Sequence, residues 1–495
     1  MRARFSSVLR STVVATALFA TALPAAAQAT QEEAARLQAI GETYFGKPAA
    51  GEASVVTVVP EGDHYRATLD AAILVRRLLA LAPPEKTRNI TLDWPAMSAA
   101  LAPRSDGLWR FWDYRMSRFV FEAEDQRTEL VTDGVSFETT FDPATGASPA
   151  MNGRFARISA TSSMRKPGEK MSVTSENTSS DITLDGSSRP TATPGSLDLS
   201  ARQITGSMLY ALGIEGGTSQ GVPDMRFTLN GGRQETTIDI AGFRNAALLD
   251  LWAHLVAHHE PDDFTARQGT LKAKIAAALP LFETAKQRVE GKDFSFESPF
   301  AVAKAAKAAV DLDLAGLTRD GRFGMAIAVA GFEAWSLFMP KWAQQLVPRD
   351  VALAGHVSGY DLATPLSVFL DSADFSAKKP LTDEQEARIA ALVLPRGTVA
   401  VNLDGNHVVA PLYDLVLDGR LAAGPDGAKG AITVKARGLE KVAEHLAREK
   451  TDQQAAALAG AIAVARGFAE RKGDDLVWRL DFDGHRVAVN GKPLK

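Results

Sequence analysis

The chain has 495 residues, of which 45% are hydrophobic and 23% charged, and its formal net charge is −4. This weakly acidic composition with interspersed charges excludes the basic footprint of a nucleic-acid-binding protein and the polybasic patch of a protein held at anionic membranes. The chain contains no cysteine, which excludes disulfides, thiolate metal ligands and a lipid-modified cysteine.

The first 29 residues predict a cleaved signal peptide. They begin with Met1-Arg2-Ala3-Arg4 and continue into an apolar run, 11–23, that is too short to cross a bilayer comfortably. The small residues that follow suit a signal peptidase, with cleavage after Ala27 or after Ala29. Because this leader carries three arginines and no acid, its removal changes the net charge from −4 to −7. No second long apolar run follows, so we expect a periplasmic protein without a transmembrane span in the mature chain.

The segment 30–290 is predicted to form a β-rich lobe. Apolar and polar residues alternate over 91–158, and turn signals such as Asp133-Gly134 and Asn152-Gly153 divide this stretch into the strands of a meander. The tract 159–194 is rich in serine and threonine and leaves two interpretations open. It is either disordered or forms polar strands exposed at a sheet edge.

Three helices are predicted in the later part of this lobe, and one of them follows Phe243, with Leu248, Leu249 and Trp252 on its apolar face. A short helix is expected at 207–212. An alanine-rich helix with a charged face is expected over 265–290, with a perturbation at Pro280 because proline lacks the backbone N–H that a helix needs.

The segment 291–495 is predicted to form a second, α+β lobe, with a soft boundary near Gly291. A mature chain of this length is too long for one ordinary hydrophobic core, which favours two lobes. Alternating stretches predict strands at 322–329, 351–357 and 430–435, and helical spacing predicts helices near 335–346, 366–370, 383–392 and 439–470.

A recurring unit joins strands to helices in both lobes. Each copy has an alternating strand, a small residue, a glycine and an aromatic residue, and the clearest copies end at Gly242-Phe243, Gly331-Phe332 and Gly359-Tyr360. Glycine permits a sharp turn with positive φ, and the aromatic ring that follows is suited to fold back on the next helix. We therefore predict a structural turn at each glycine, although such junctions are common in α+β proteins generally.

The C-terminal quarter resembles a bacterial envelope family. The resemblance is carried by 473–482, which begins Gly473-Asp474-Asp475-Leu476, and by 484–494, which begins Gly484-His485-Arg486-Val487. These residues are similar to the ending of the envelope domain-of-unknown-function family 2125, and the repeated strand–glycine–helix unit resembles the AsmA-like proteins. The resemblance implies long curled sheets that form a lipid-holding groove, and it implies no catalytic residues. AsmA-like proteins usually start with a membrane anchor, which we do not expect here.

A dense aromatic cluster supplies the candidates for a ligand groove: Trp109, Phe111, Trp112 and Tyr114. Aromatic side chains dominate the buried area of hydrophobic cores, so one interpretation is a core cluster. The other interpretation is an apolar groove or surface that a lipid or a partner covers.

The candidate metal site consists of His254, His258, His259 and Glu260. His254 and His258 are four residues apart and share one face of a helix, which is the spacing that zinc sites use. The helix lacks the glutamate of a His-Glu-x-x-His motif, and histidines also suit a helix C-terminus, where they meet the last carbonyls. We find no phosphate-binding glycine loop and expect no cofactor.

Together these patterns predict an α+β fold of long, curved antiparallel β-sheets with helices packed against them, in two lobes. The leading functional hypothesis is a non-enzymatic periplasmic envelope protein. It would bind or shield an apolar ligand such as a lipid, or support envelope assembly together with other envelope proteins. The alternative is a zinc-dependent hydrolase that uses the His254/His258 pair. The two hypotheses differ in a measurable way, because only the hydrolase requires stoichiometric zinc.

Overall fold

The computed structural model describes residues 28–48, 51–80, 90–116, 118–165, 171–216, 223–258, 265–377, 379–449 and 451–494. Most of the predicted signal peptide lies outside these residues, as do His259 and Glu260. Strands account for 53% of the chain and helices for 22%, and the strands pair antiparallel. The α+β class with long antiparallel strands, predicted from the sequence, is therefore confirmed.

The helices of the described residues are α1 (Gln31–Phe45), α2 (Ala71–Ala80), α3 (Asn245–Ala257), α4 (Gln268–Ala278), α5 (Ala363–Ser372), α6 (Asp383–Leu392), α7 (Leu439–Leu446) and α8 (Gln453–Phe468), with a 3-10 helix at Lys341–Leu346. The strands of the first half are β1 (Val56–Glu61), β2 (His64–Leu69), β3 (Thr91–Asp93), β4 (Met97–Pro103), β5 (Trp109–Arg115), β6 (Arg118–Ala123), β7 (Gln126–Asp133), β8 (Ser136–Asp142), β9 (Ala147–Met164), β10 (Ser172–Pro190), β11 (Leu197–Thr205), β12 (Ser207–Glu215), β13 (Met225–Gly231) and β14 (Gln234–Phe243). Those of the second half are β15 (Thr284–Glu297), β16 (Ala301–Ala315), β17 (Gly321–Ala330), β18 (Glu333–Ser336), β19 (Asp350–Tyr360), β20 (Val399–Val409), β21 (Asp414–Gly424), β22 (Gly427–Arg437), β23 (Glu470–Lys472), β24 (Asp475–Gly484), β25 (Arg486–Val489) and β26 (Lys492–Pro493).

The chain divides into two compact units. The first contains the described parts of Met1–Met225, Thr237–Glu283 and Leu370–Thr382, and the second contains Arg226–Thr236, Thr284–Phe369 and Asp383–Lys495. Gly291, near which the sequence suggests a boundary, lies within strand β15.

Two long strands, β9 and β10, form the centre of the sheet in the first unit. They run antiparallel, from Met164 opposite Val173 to Met151 opposite Gly186. The other edge of β9 pairs with β8 and then β7, and the other edge of β10 pairs with β11 and β12. The described part of the Ser/Thr-rich tract 159–194 is therefore mostly strand, and its strands have neighbours on both sides instead of lying at a sheet edge.

Helix α1 packs its apolar face into the main core of the first unit. Thr30 caps this helix, because its Oγ1 accepts a hydrogen bond from the N–H of Glu33 at 3.2 Å. Leu37 and Phe45 of α1 are buried in a cluster that also contains Trp109 of β5. The remaining buried members of the cluster are Ala34, Val55, Val56, Val58, Tyr65, Leu101, Phe111 and Phe141.

The sheet of the second unit is an antiparallel meander. The chain passes from β15 through β16, β17, β19, β20, β21 and β22 to β24, and each of these strands pairs with the next. A small core buries Val442 and Leu446 of α7 and Ala455 of α8 against Trp342 and Tyr413. The buried cluster covers only a small part of this sheet.

The recurring glycines lie in turns that have positive φ. The φ angles of Gly242, Gly331 and Gly359 are 66°, 63° and 86°. Aspartate side chains hold two of these turns, since the N–H groups of Gly242 and Gly331 donate to Asp198 Oδ1 and Asp350 Oδ1, each at 3.0 Å. Helices α3 and α5 start shortly after Gly242 and Gly359, whereas the chain after Gly331 continues as strand β18.

The helix predicted at 439–470 forms two separate helices, α7 and α8, and three further predicted helices are wrong in whole or in part. The segment 207–212 belongs to β12, which pairs with β10. Helix α4 ends at Ala278, and 284–290 belongs to β15, which pairs with β16. The segment 335–346 forms the end of β18 and a 3-10 helix, because β16 still offers 301–304 for pairing. In each of these three cases, a neighbouring strand overrides the local helical preference.

Replacing Gly331 with alanine is expected to lower the free energy of unfolding by about 1–3 kcal/mol. The backbone at Gly331 has a φ of 63°, and an added Cβ would lie 2.8 Å from the Cβ of Ala306. Gly324→Ala, on the strand that precedes Gly331, is the matched control, because its new Cβ would lie 3.5 Å from the nearest atom, the Cβ of His356. We expect the control to change the free energy by less than about 1 kcal/mol. Urea denaturation of both variants checks this, and equal midpoints would contradict it.

Candidate ligand-binding face

Strand β17 exposes a row of large apolar side chains. Phe323, Met325 and Ile327 alternate along the strand and therefore lie on one face, and their exposed fractions are 44%, 44% and 36%. Leu353 of the neighbouring strand β19 lies directly opposite Ile327 and is 48% exposed. Single exposed apolar residues are common, but four in register on paired strands form one continuous surface.

Half-buried aliphatic residues extend this surface on both sides. The pairing of β16 with β17 places Val310 opposite Ile327, and the pairing of β17 with β19 places Val357 opposite Phe323. We call the whole surface the apolar face, and its further members are Leu312 and Leu314 on β16, Val329 on β17 and Val351 on β19.

The dimensions of the apolar face suit a hydrocarbon chain. Phe323 and Val329 are six residues apart, so the face is about 20 Å long at roughly 3.4 Å per residue, and three strands give it a width of about 10 Å. This length exceeds the hydrocarbon thickness of one bilayer leaflet, which is about 15 Å. Gly355 lies opposite Met325, and the side chain of Leu403 occupies the space beside it, since a Cβ on Gly355 would lie 3.3 Å from Leu403 Cδ2.

The opposite face of the same strands is polar. Arg288 of β15 forms an ion pair with Asp311 of β16 at 2.9 Å, and Arg322 of β17 forms one with Asp313 at 3.0 Å. The alternation of Asp311 and Asp313 with leucines fits a solvated strand face. On β17 the positions between the apolar residues are filled by small residues, namely Gly324, Ala326 and Ala328. The sheet therefore has one charged face and one apolar face, and both reach solvent.

Sequence reasoning predicted the strand at 322–329 but did not identify its apolar face as a binding surface. The available signal was the alternation of Phe323, Met325 and Ile327 with glycine and alanine. That pattern specifies a two-faced strand, but it does not indicate whether a helix or another sheet covers the apolar side.

The aromatic candidates of the first unit lie mainly in its core. Trp109 and Phe111 are only 2% and 3% exposed, so they offer almost no surface to a ligand. Trp112 points to the other side of β5, where its ring lies 5.4 Å from that of His64 and 4.9 Å from the guanidinium carbon of Arg110.

Tyr114 packs edge-on against Phe137, with ring centroids 4.8 Å apart. Its buried hydroxyl has no hydrogen-bond partner among the described residues, and burial raises the pKa of Tyr114 above its usual range. No described contact brings the four aromatic candidates together around an open groove.

The histidine pair lies at the end of helix α3. The rings of His254 and His258 are 4.7 Å apart, as four-residue spacing on one helical face predicts. Burial lowers the pKa of His254, and the neighbouring His258 and the cations of Lys274 and Arg267 lower it further. Lys274 forms an ion pair with Asp250 at 2.6 Å. The described residues contain no group of three or more potential metal ligands.

We expect the purified protein to lack stoichiometric zinc. Among the described residues, the histidine pair falls short of the three or four protein ligands that zinc sites use, and the nearby cations oppose a divalent ion. Elemental analysis of the protein, with His258→Ala as the comparison, measures this directly. One zinc per chain that is lost in His258→Ala would contradict the expectation and favour the hydrolase hypothesis.

A depression of about 360 Å³ lies at the turn between β6 and β7. Charged and polar side chains dominate its lining, including Glu122, Glu124, Arg127 and Arg165. Arg127 of β7 also forms an ion pair with Glu122, its partner on β6. This charged lining is unsuited to an acyl chain, so the apolar face remains the stronger candidate.

No protein-family model, curated protein or solved structure matches the chain. The geometry of the described residues is therefore the main ground for inferring a function. Among those residues, no helix is both long enough and apolar enough to cross a membrane.

Proposed function

We propose that this protein binds the hydrocarbon part of a lipid on the apolar face of its second unit, as a non-enzymatic protein of the bacterial envelope. The observation that carries the proposal is the row Phe323, Met325 and Ile327, joined by Leu353, which lies exposed on paired strands. A ligand that covered this row would remove it from water without requiring any polar partner.

The size of the exposed surface supports a ligand. Phe323, Met325, Ile327 and Leu353 together expose roughly 300 Å², and the half-buried neighbours enlarge this area to the range in which exposed apolar patches of monomers are usually functional. Burying 300 Å² of apolar surface contributes roughly 7 kcal/mol before the cost of association is subtracted. This is comparable to the lower part of the association cost of about 4–15 kcal/mol, so a stable complex also requires contacts with the half-buried neighbours.

The location and the family resemblance support the same proposal. The basic and apolar leader predicts export, and a protein in the periplasm meets lipids that must cross an aqueous space. The C-terminal resemblance to an envelope family agrees with that location. A supporting role in envelope assembly would use the same face to hold another envelope protein.

Native mass spectrometry of protein purified without detergent tests the proposal. We expect a population that carries a lipid mass, and we expect lipid-stripped protein to take up a fluorescent fatty acid. Protein that is reproducibly ligand-free and does not take up the probe would contradict the proposal. Stable co-purification of a protein partner in place of lipid would instead favour the assembly role.

A further inference from the structure

An exposed apolar tip lies beyond the end of β18. Leu337 and Phe338 are 61% and 78% exposed, and Trp335, the last large residue before them, is 47% exposed. The segment from Ser336 to Pro340 contains no charged residue, and the first charge that follows it is the exposed Lys341. We call Trp335, Leu337 and Phe338 the apolar tip.

The backbone of the apolar tip is fixed by hydrogen bonds. The N–H of Leu337 donates to the carbonyl oxygen of Phe300 at 2.9 Å, and the N–H of Met339 donates to the carbonyl oxygen of Ser336 at 3.0 Å. The rings of Phe300 and Phe338 are 5.8 Å apart. The exposure of Leu337 and Phe338 is therefore a property of an ordered turn.

The segment that follows the tip is also anchored. Trp342 Nε1 donates to Asp452 Oδ2 at 2.8 Å, and the hydroxyl of Tyr413 donates to the carbonyl oxygen of Leu346 at 3.1 Å. These two contacts hold the 3-10 helix against the small core of the second unit. The segment directly after the tip is therefore attached to a packed part of the unit.

The tip continues the apolar face along one strand line. Ala330 of β17 pairs with Lys307 of β16, and Glu333 of β18 pairs with Lys304, so the register does not change at Gly331. Alternation then places Trp335 and Leu337 on the same side as Ile327. One facing pair of opposite charges, Lys304 and Glu333, lies between the two apolar stretches.

We propose that the apolar tip docks into the surface of a phospholipid bilayer, from which the apolar face receives its lipid; this inference rests on the proposed function. Tryptophan prefers the headgroup region, phenylalanine and aliphatic side chains go deeper, and a lysine at the base of the tip is complementary to lipid phosphates. Trp335, Phe338, Leu337 and Lys341 supply these elements in the corresponding order.

The area of the tip favours a bilayer over a second protein. The three side chains together expose roughly 400 Å², which is about half of the 800 Å² that each partner contributes to a stable protein interface. Shallow insertion into a membrane requires no such minimum, since every inserted apolar group adds to the affinity.

Flotation of the full protein with vesicles of phosphatidylcholine and phosphatidylglycerol tests the docking. We expect the wild-type protein to float, and the double variant Leu337→Ser and Phe338→Ser to float on the order of tenfold less. Val464→Ser is the matched control, because Val464 is 64% exposed and lies on α8, outside the residues of the apolar tip. Wild-type protein that stays at the bottom, or a double variant that floats normally, would overturn the inference. It would also be overturned if the double variant converted a dimer into a monomer without any change in flotation.

Lipid uptake distinguishes this inference from the proposed function. Uptake of a fluorescent fatty acid from solution needs only the apolar face, whereas transfer from vesicles also needs the tip. We expect the double variant to retain uptake from solution and to lose transfer from vesicles. Normal flotation of wild-type protein with no uptake from either source would reject the proposed function while leaving the docking intact.

Discussion

Replacing Ile327 with aspartate is expected to weaken the binding of a fluorescent fatty acid by at least about tenfold, which corresponds to 1.4 kcal/mol. Ile327 lies in the middle of the apolar face, between Val310 and Leu353 on the neighbouring strands. A bound acyl chain would cover the new carboxylate without offering a hydrogen bond, and burying such a charge costs several kcal/mol. Fluorescence titration of lipid-stripped protein measures the loss.

Ala328→Asp is the matched control for this prediction. Ala328 is the next residue on β17, it is exposed, and alternation places it on the charged face of the sheet. We expect this variant to bind the fatty acid like the wild type and both variants to unfold in one cooperative transition, which shows that the fold is retained. Equal losses of affinity in both variants would contradict the assignment of the ligand to one face.

The largest effect on stability is expected from Trp109→Ala, which should lower the free energy of unfolding by about 3–5 kcal/mol. Trp109 is 2% exposed and packs in the main core of the first unit, where its ring lies 6.3 Å from that of Tyr65. Removal of the indole leaves a cavity that strands paired on both sides have little freedom to fill. Chemical denaturation followed by tryptophan fluorescence and by circular dichroism measures the change.

Trp112→Ala, three residues along the same strand, provides the control. Its ring lies against His64 and Arg110 on the outer side of β5, and we expect its removal to cost about 1 kcal/mol. A similar destabilisation by both variants would show that burial does not distinguish the two tryptophans. It would then weaken the description of Trp109 as a core residue.

The elements that the sequence predicts well are those whose local pattern agrees with their long-range partners. The strand predicted at 322–329 is found in β17, and the helix predicted at 383–392 is α6. The turns are also predicted from local sequence. Gly331 and Gly359, each followed by an aromatic residue, indicate a turn, and both have positive φ.

The elements that the sequence predicts poorly are those decided by a neighbouring strand. Alanine favours helices, yet Ala301–Ala315 is a strand because β15 and β17 pair with its two edges. The helix predicted over 265–290 fails for the same reason beyond Pro280, where Thr284–Glu297 pairs with β16. Pairing between distant segments contributes more free energy than local propensity, and it leaves no local signature.

The candidate site was hard to predict because exposure is a tertiary property. A dense group such as Trp109 and Phe111 has the composition of a groove lining, but both side chains are buried. The less conspicuous row that includes Phe323 and Met325 is the one that reaches solvent. Composition identifies apolar side chains, whereas only the packing of the other elements decides which of them remain uncovered.

Photo-crosslinking with a fatty acid that carries a diazirine on its chain tests the central claim most directly. We expect peptide mapping to place the crosslinks on β17 and β19, with the strongest labelling between Phe323 and Val329, and we expect Ile327→Asp to remove them. Efficient labelling confined to the first unit, or labelling of β17 that Ile327→Asp leaves unchanged, would contradict the claim that the apolar face holds the lipid.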